Sequence, residues 1–384
     1  MFTPYPMLLL PEFHERVWGT RDLRPYFGLP VEGAPVGEVW MTGEQCRVAN
    51  GPLAGETLGD LALRFGAELT GEAAPLAKRF PLLIKFLYPR QKLSVQVHPD
   101  DEGARRVGEV CGKTECWYVA RAISGAQVGL GLRAGITREM FRMAIEANQA
   151  EHMLNWLDVK AGEMIYVDAG TVHAIGANAI FVETQQNCDI TYRLYDYGRP
   201  RQLHLEEGMA AIREKTNAGW VEPEVGESAP HAASVGRMIS EGARPTRPLT
   251  APPAPAHTVL VSSPYFAVER YKLEGPVVLS GAVGKSSVQV LVCLEGGAVV
   301  EYDGGGARPS TPTAGLPGTP QLVTFTRGEA VVIPAALRQV TVRPQWQAEL
   351  LRMTLPSHPV GEPVTTMRSA NEPSNHAPHF HEAE

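Results

Sequence analysis

The stretch that decides the fold is Gly162–His173, which has the sequence GEMIYVDAGTVH. Its apolar first half predicts a short buried strand, and the Asp-Ala-Gly that follows has the composition of a turn. Because strand side chains alternate between faces with period two, Thr171 and His173 share a face of the next strand. The stretch therefore predicts a β-rich fold and puts one imidazole on a defined face of it.

Two further β-patterned segments carry side chains that can bind a metal. Leu93–Asp100 has the sequence LSVQVHPD, and strand alternation puts three polar residues on one face: Ser94, Gln96 and His98. Gly112–Tyr118 has the sequence GKTECWY, and the same rule groups three others: Lys113, Glu115 and Trp117. Cys116 follows Glu115 directly, so we expect its thiol to point away from that face.

The three segments predict a metal site if these side chains all point into the interior of one barrel. His98, Glu115 and His173 could then converge on a divalent cation. Two imidazoles and one carboxylate, with positions left open for water or substrate, are typical of a catalytic rather than a structural site. His98 alone would be explained as a buried core histidine, but three convergent candidates favour the ligand role.

Length and composition limit the classes of protein that remain. A single hydrophobic core stops growing at about 250–300 residues, so 384 residues predict two domains. The 38 Gly and 32 Pro favour many turns and short strands. A net charge of -7 without a basic stripe argues against nucleic acid as a partner. The N-terminal apolar run is broken by prolines and too short for a signal or membrane span, so we expect a cytoplasmic protein with reduced cysteines.

The strand and helix patterns divide the chain into two β-rich blocks. We predict a first domain over residues 1–221, with a small helical insertion at about 100–158. Within the insertion, Asp100 and Thr137 are predicted to cap helices, and Met153–Leu157 to continue a helical region. A Pro-rich linker over 222–257 and a second β-rich domain over 258–355 follow. Residues 356–384 are polar, and we expect a disordered tail whose histidines are incidental.

Together these motifs resemble one known family. Gly162–His173 is similar to the second characteristic stretch of the cupin superfamily, with Asp168 where that pattern has Pro. With QVHPD at 96–100, GKTECWY at 112–118 and QQNCDITYRLYD at 185–196, the chain resembles type I mannose-6-phosphate isomerases, strongly over about residues 5–215 and more weakly to about 355. The resemblance implies a mainly β fold of two cupin-like jelly-roll barrels, the second without a metal site.

The resemblance also implies a function and a set of site residues. It implies an enzyme that interconverts mannose 6-phosphate and fructose 6-phosphate as a monomer, with one Zn²⁺ per chain. The implied metal ligands are Gln96, His98, Glu115 and His173. The implied residues for substrate binding and catalysis are Ser94, Lys113, Glu183 and Arg193.

The chemistry of the residues agrees with this assignment. Aldose–ketose isomerisation moves a proton between C1 and C2, which needs a base and a way to stabilise an enediolate oxygen. A phosphate dianion calls for Arg or Lys, and strand alternation lets Lys113 and Arg193 look inward. The base stays open at this stage: Glu183, a zinc-bound water and a histidine are all candidates.

Two other functions fit parts of the pattern. Two histidines and a carboxylate also suit the Fe(II) of a cupin oxygenase, although Lys113 and Arg193 favour a phosphorylated substrate. A non-catalytic sugar-phosphate-binding module is the third hypothesis, and the intact ligand set argues against it. Anaerobic turnover and metal analysis separate the isomerase from the oxygenase. A coupled assay on mannose 6-phosphate, with and without a chelator, separates the isomerase from the binding module.

Overall fold

The computed structural model describes residues 2–28, 32–74, 78–213, 215–222, 224–225, 237–239, 256–281, 286–303 and 320–356. The predicted linker falls mostly outside these residues, and the tail falls outside them beyond residue 356. The strands of the first half are β1 (Met7–Leu10), β2 (Glu12–Thr20), β3 (Val36–Trp40), β4 (Arg47–Val48), β5 (Leu82–Leu87), β6 (Val95–Val97), β7 (Glu115–Ala122), β8 (Gln127–Leu132), β9 (Leu154–Asp158), β10 (Met164–Val167), β11 (His173–Ile175), β12 (Ala179–Gln186), β13 (Tyr192–Tyr195) and β14 (Gly219–Glu222).

The second half adds further strands, and helices are fewer. The remaining strands are β15 (Glu224–Val225), β16 (Arg237–Ile239), β17 (His257–Ser262), β18 (Ala267–Leu273), β19 (Val277–Ser280), β20 (Gln289–Tyr302), β21 (Gln321–Thr326), β22 (Ala330–Ile333) and β23 (Gln339–Thr354). The α-helices of the described chain are α1 (Leu58–Phe65), α2 (Ala67–Thr70), α3 (Asp101–Arg106), α4 (Arg138–Glu146) and α5 (Leu205–Ala211). The prediction of a mainly β fold is confirmed.

Two antiparallel sheets, formed by strands of the first half together with β16, face each other across an apolar core. One has the order β16-β14-β10-β7-β12-β5-β3-β2, and the other has the order β13-β6-β11-β8-β9. Trp117 and Phe181 from the first sheet and Val128 and Ile175 from the second belong to one buried cluster. The functional side chains described below lie at one end of the space between these sheets.

The outer faces of the two sheets are covered by different partners. On the eight-stranded sheet, Cys116 and Tyr118 join a large apolar cluster that extends into the second half of the chain. On the five-stranded sheet, Val95 and Val97 pack with Phe141 of α4 and Met209 of α5. Cys116 therefore points away from the face that carries Glu115, as strand alternation predicts.

The second half forms a sheet that also contains the N-terminal strand. Its order is β15-β17-β18-β23-β20-β22-β1-β4, with β19 paired to β23 and β21 paired to β20. Met7 and Leu8 pair with Val332 and Val331, so residues from both ends of the chain share this sheet. The boundaries proposed above for the two domains remain a prediction.

The helix caps in the first half follow the sequence, but one helical region does not. The side chains of Asp100 and Thr137 accept hydrogen bonds from the first turns of α3 and α4. Residues 154–157, expected to be helical, instead form strand β9 after a short 3-10 helix at Ala150–Met153. The competing interaction is the β8 ladder, where Leu154 is buried directly over Gly129, a residue with no side chain to block it.

Residues 100–158, predicted as a helical insertion, contain strands as well as helices. Strands β7, β8 and β9 lie in this range with α3 and α4, so it contributes to both sheets of the first half. No helix in the described parts of the chain combines the length and the apolarity that a membrane span requires.

Candidate metal centre and active site

Three buried side chains meet at one end of the space between the two sheets. Glu115 is the first residue of β7, His173 is the first of β11, and His98 directly follows β6. Glu115 Oε1 lies 3.4 Å from His173 Nε2, and Glu115 Oε2 lies 3.5 Å from His98 Nε2. Each residue is at most 1% exposed. The structure thus brings together the three side chains that the sequence grouped as candidate ligands.

Both imidazoles are oriented through their Nδ1 atoms. His98 Nδ1 donates to the Ile190 carbonyl at 2.9 Å, and His173 Nδ1 donates to the Thr171 carbonyl at 2.9 Å. These bonds leave both Nε2 atoms as lone-pair donors aimed at the same place, an arrangement common around protein-bound metals. Burial lowers the pKa of His173 to about 4 and the pKa of His98 well below 6.5. Both rings are therefore neutral at neutral pH, the state that a metal requires.

The Glu115 carboxylate between the two imidazoles has one oxygen without a hydrogen bond. Glu115 Oε1 is buried and has no hydrogen-bond donor among the described residues. A buried carboxylate oxygen without a partner is costly unless a cation balances it. The residues therefore fit a divalent cation, and within the described parts of the chain they form the one group of three His, Cys, Asp or Glu side chains close enough to hold one.

Gln96 is adjacent to the triad. It pairs with His173 across the β6–β11 ladder, and its Nε2 donates to His173 Nε2 at 3.2 Å. Its Oε1 accepts a hydrogen bond from the Ser94 hydroxyl at 3.1 Å. A half-turn of the amide would exchange these atoms and direct the oxygen toward the triad.

Lys113 places a buried ammonium group directly beside the triad. Its Nζ lies 2.6 Å from Glu115 Oε2 and 3.0 Å from His98 Nε2. Burial alone would lower the pKa of this lysine, but the carboxylates of Glu115 and Glu183 outweigh burial and raise it. Lys113 is therefore a fixed positive charge at the site.

Glu183 is a buried carboxyl group with an unusual proton affinity. It lies in β12, opposite Lys85 of β5 and Trp117 of β7, and Trp117 Nε1 donates to its Oε1 at 3.1 Å. Burial and the neighbouring Glu115 carboxylate raise the pKa of Glu183 to about 7. A carboxylate with such a pKa in a cleft is suited to take up and release a proton near neutral pH.

Lys85 belongs to the same site, although the sequence pattern alone does not assign it there. Its Nζ lies 2.6 Å from Asp189 Oδ1, 3.7 Å from Glu38 Oε2 and 3.8 Å from Glu183 Oε2. The side chain is 3% exposed and lies over the Trp40 ring. The available signal was a single charge inside the otherwise apolar strand LLIKFL, which must be paired because strand β5 is wholly buried.

A cavity of about 400 Å³ lies beside the triad. Arg193 lies on its wall, opposite Gln96 in the β13–β6 ladder. Arg193 Nη1 donates to the Gln202 carbonyl, while its buried Nε has no acceptor among the described residues. Burial and the nearby Arg201 lower the pKa of this guanidinium, so an anion bound in the cavity would stabilise it. The remaining polar lining residues are Arg16, Glu38, Lys85, Ser94, Gln96, Lys113, Glu183, Asp189, Thr191 and Arg201.

Comparisons with known proteins agree with this arrangement. Residues 7–118 match the family model of the catalytic domain of type I phosphomannose isomerase. The mannose-6-phosphate isomerase of Streptococcus mutans is 34% identical over 296 residues, which cover 74% of this chain and 84% of that protein. Mannose-6-phosphate isomerase ManA of Bacillus subtilis is 40% identical over 222 residues, which cover 55% of this chain and 69% of that protein.

Solved structures share the architecture over most of the chain. The crystal structure of the mannose 6-phosphate isomerase from Bacillus subtilis matches with a TM-score of 0.71 and 26% identity, covering 91% of this chain and 99% of that one. A variant of phosphomannose isomerase from Salmonella typhimurium matches with a TM-score of 0.65 at 16% identity, covering 91% and 98%. At that lower identity the match shows the fold alone, which is the cupin-type fold expected from the sequence.

Proposed function

The chain belongs to the mannose-6-phosphate isomerase family, and we propose that it interconverts D-mannose 6-phosphate and D-fructose 6-phosphate with one Zn²⁺ bound per chain. The observation that carries the proposal is the buried triad of His98, Glu115 and His173, which contacts Lys113 next to a cavity lined by two lysines and a carboxyl group with a raised pKa. A sugar phosphate needs positive charge and a proton acceptor at the same place, and this cavity supplies both.

His98, Glu115 and His173 would hold the zinc, with Gln96 as a fourth ligand after rotation of its amide. When bound, zinc supplies Lewis acidity to the carbonyl and hydroxyl oxygens at C1 and C2 of the substrate. The chain's own contribution is to orient both imidazoles through Ile190 and Thr171, and to keep them neutral by burial. The two-histidine, one-carboxylate set with an open position suits a catalytic metal.

We assign the role of general base to Glu183. It would take the proton from C2 of the open-chain aldose and return it to C1, while the hydroxyl proton moves from O2 to O1. This exchange converts the aldehyde at C1 into an alcohol and the alcohol at C2 into a ketone, with no net gain or loss of atoms or electrons. Burial of Glu183 excludes water from the proton transfer, and Trp117 fixes one carboxyl oxygen.

Arg193 and Lys113 would stabilise negative charge on the substrate and on the enediolate. Lys113 is close to the triad, so its ammonium suits the enediolate oxygen, whereas Arg193 lies on the cavity wall and has an unpaired Nε that suits the phosphate. Ser94 lines the same cavity and holds the Gln96 amide through its hydroxyl. These roles favour a phosphorylated sugar over the apolar substrate of an oxygenase.

The test is a coupled assay on mannose 6-phosphate with purified protein. We expect turnover that is lost after chelation, returns with added zinc and does not depend on oxygen. Activity that requires Fe(II) and O₂ would favour the oxygenase. Binding of mannose 6-phosphate without turnover, with metal present, would favour the non-catalytic module.

A further inference from the structure

The two imidazoles of the triad are oriented in different ways. His173 Nδ1 donates to the Thr171 carbonyl, two residues earlier in the same segment. His98 Nδ1 donates to the Ile190 carbonyl, which is 92 residues away in the chain. The orientation of His98 therefore depends on the loop that carries Ile190, whereas the orientation of His173 is set locally.

The loop at residues 187–191 carries Ile190 and crosses between the two facing sheets. It connects β12 of the eight-stranded sheet to β13 of the five-stranded sheet. Asp189 and Thr191 in this loop line the cavity, and Asp189 Oδ1 accepts a hydrogen bond from Lys85 Nζ at 2.6 Å. One short segment thus orients a candidate metal ligand, balances a buried lysine and forms part of the cavity wall.

Gln185 is the residue whose side chain fixes the start of this loop. It lies in β12 opposite Glu115 and is completely buried. Its Nε2 donates to the Cys188 carbonyl at 2.5 Å and to the Gln186 carbonyl at 3.2 Å. The Cys188 amide also donates to the Gln186 carbonyl, at 2.7 Å. The side chain of Gln185 therefore closes a tight turn where the chain leaves β12.

The orientation of the Gln185 amide is determined by its surroundings. Both groups next to Nε2 are carbonyl oxygens, so a flipped amide would set its own oxygen against two acceptors. Oε1 is buried and has no donor among the described residues. A buried acceptor without a partner costs stability that a methionine of the same length would not lose. The two hydrogen bonds from Nε2 therefore account for an amide at this position.

We propose that Gln185 is a positioning residue of the metal centre, which acts on His98 through the loop at residues 187–191. Its hydrogen bond to the Cys188 carbonyl holds the backbone two residues before Ile190, and the Ile190 carbonyl holds the His98 ring. Groups that bond the second nitrogen of a ligating histidine fix its ring, and their loss typically weakens metal binding about 10–100-fold. The metal-binding part of this proposal rests on the proposed function.

Gln185→Met and Gln289→Met form a matched pair of variants. Methionine keeps the length of glutamine and removes its hydrogen-bonding amide. Gln289 lies in β20 and is 1% exposed, and its Oε1 accepts from Arg352 Nε at 2.8 Å, while its Nε2 has no acceptor among the described residues. Each glutamine thus has one bonded and one unbonded amide atom. Both variants should lose stability, but only Gln185→Met should disturb His98.

Nitrogen-15 NMR of the histidine rings in metal-free protein tests the positioning role without zinc or turnover. A ring N–H proton gives a sharp signal only while a hydrogen bond protects it from exchange with water. In the wild type we expect such Nδ1–H signals for His98 and His173, each assigned from the signal that disappears when that histidine is replaced. In Gln185→Met the His98 signal should broaden or vanish and the His173 signal should persist. In Gln289→Met both should persist.

Zinc affinity, measured by competition with a chromogenic chelator, tests the consequence for the metal centre. We expect zinc to bind about tenfold more weakly to Gln185→Met than to the wild type, and equally well to Gln289→Met and the wild type. The amide of Gln185→Asn is one methylene too short to reach the Cys188 carbonyl. This second variant should show the same pattern and replaces Gln185→Met if that protein does not fold.

The outcomes distinguish this proposal from the proposed function. An unchanged His98 signal in Gln185→Met, or equal loss of the His98 and His173 signals, would overturn the positioning role. The same change of the His98 signal in Gln289→Met would also overturn it. Wild-type zinc affinity in Gln185→Met would show that the loop does not control the metal centre. A wild-type protein that binds no zinc would refute the proposed function, and the NMR result would still decide the role of Gln185.

Discussion

At the scale of single residues, the site contains a buried ammonium group, that of Lys85, whose charge is balanced by neighbouring carboxylates. The Lys85 ammonium is held by Asp189, Glu38 and Glu183, and these carboxylates outweigh the burial that would lower its pKa, so the pKa of Lys85 is raised. Removing one partner from such a set leaves a charge without compensation at a largely buried position. The stability of the fold and the state of the active site are therefore coupled at this residue.

Replacing Lys85 by methionine should destabilise the protein strongly. Lys85→Met keeps the length of the side chain but removes the cation that pairs with Asp189 and Glu183, while Arg16 still pairs with Glu38. We expect a loss of about 3–5 kcal/mol in the free energy of unfolding. Urea denaturation followed by fluorescence measures it. The control is Lys92→Met, whose pair with Glu151 is partly exposed and should contribute less than about 1 kcal/mol. Equal losses for both variants would refute the argument.

Replacing Glu183 by glutamine tests the assignment of the base. Glu183→Gln keeps a side chain that can accept from Trp117 but cannot take a proton, so we expect kcat to fall about 10²–10⁴-fold. Metal content, measured on the same preparation by atomic absorption, should stay unchanged because the triad is intact. Glu206→Gln, which alters only an exposed pair with Arg142, is the control and should keep wild-type kcat. A near-normal kcat for Glu183→Gln would show that another group is the general base.

Strand alternation was enough to predict which side chains meet, because the period of two is a local property of the chain. It placed His98, Glu115 and His173 together and turned Cys116 away. It could not assign Lys85, because the three carboxylates around it come from β3, β12 and the loop after β12. Such partners are known only once the order of strands in the sheet is known.

At the scale of elements, tertiary pairing decided the cases where local patterns were ambiguous. Leu154 and Trp156 fit either a helix or a strand, and the free edge of β8 selected the strand β9. In the second half, β18 lies between β17 and β23 and joins them through a half-buried ionic group. Arg352 Nη1 donates to Glu269 Oε2 at 2.8 Å, and His257 lies 3.7 Å from the same carboxyl group. Sequence patterns predicted strands here but not this cross-strand pairing.

This group predicts a pH dependence of stability. Burial alone would raise the pKa of Glu269, but the nearby His257 imidazole and the hydrogen bond and charge of Arg352 lower it from 4.5 to about 2. As the pH falls, the unfolded chain binds this proton first, so the stabilisation is full above about pH 4.5 and is lost as the pH falls through about 2. A shift of this size corresponds to about 3 kcal/mol.

The difference between wild type and Glu269→Gln isolates this contribution. Urea denaturation over the range of about pH 6 to pH 2 measures the unfolding free energy of both proteins. The wild type should be more stable by a constant difference above about pH 4.5, and this difference should decrease as the pH falls toward 2. Glu222→Gln, which changes a partly exposed glutamate in β14, serves as the control for the loss of one carboxyl group. A stability difference between wild type and Glu269→Gln that stays constant down to about pH 2 would contradict the lowered pKa of Glu269.

At the scale of the whole molecule, the two halves are joined by backbone contacts as well as by apolar packing. Strand β1 lies in the sheet of the second half, and one apolar cluster extends through both halves. The segment around α2 docks onto the start of β20: the Val288 amide donates to the Thr70 carbonyl at 3.1 Å, and the Ala335 amide donates to the Leu69 carbonyl at 2.9 Å. We therefore expect the halves to unfold in one transition.

Gly71, which ends α2, is the residue that allows this close approach, and it supplies a test with a matched control. A Cβ at Gly71 would lie 2.2 Å from the Ser286 carbonyl oxygen, whereas a Cβ at Gly55 would meet nothing within 4 Å. Both glycines have φ near +90°, so Gly55→Ala measures the backbone cost alone, about 1 kcal/mol.

Gly71→Ala adds a clash with backbone that cannot move without separating the halves, and we expect it to cost about 1–3 kcal/mol more than Gly55→Ala. Calorimetry should show one broadened or split transition for Gly71→Ala and a single sharp one for Gly55→Ala. If both variants lose the same stability and keep one sharp transition, the contact at Gly71 does not couple the halves.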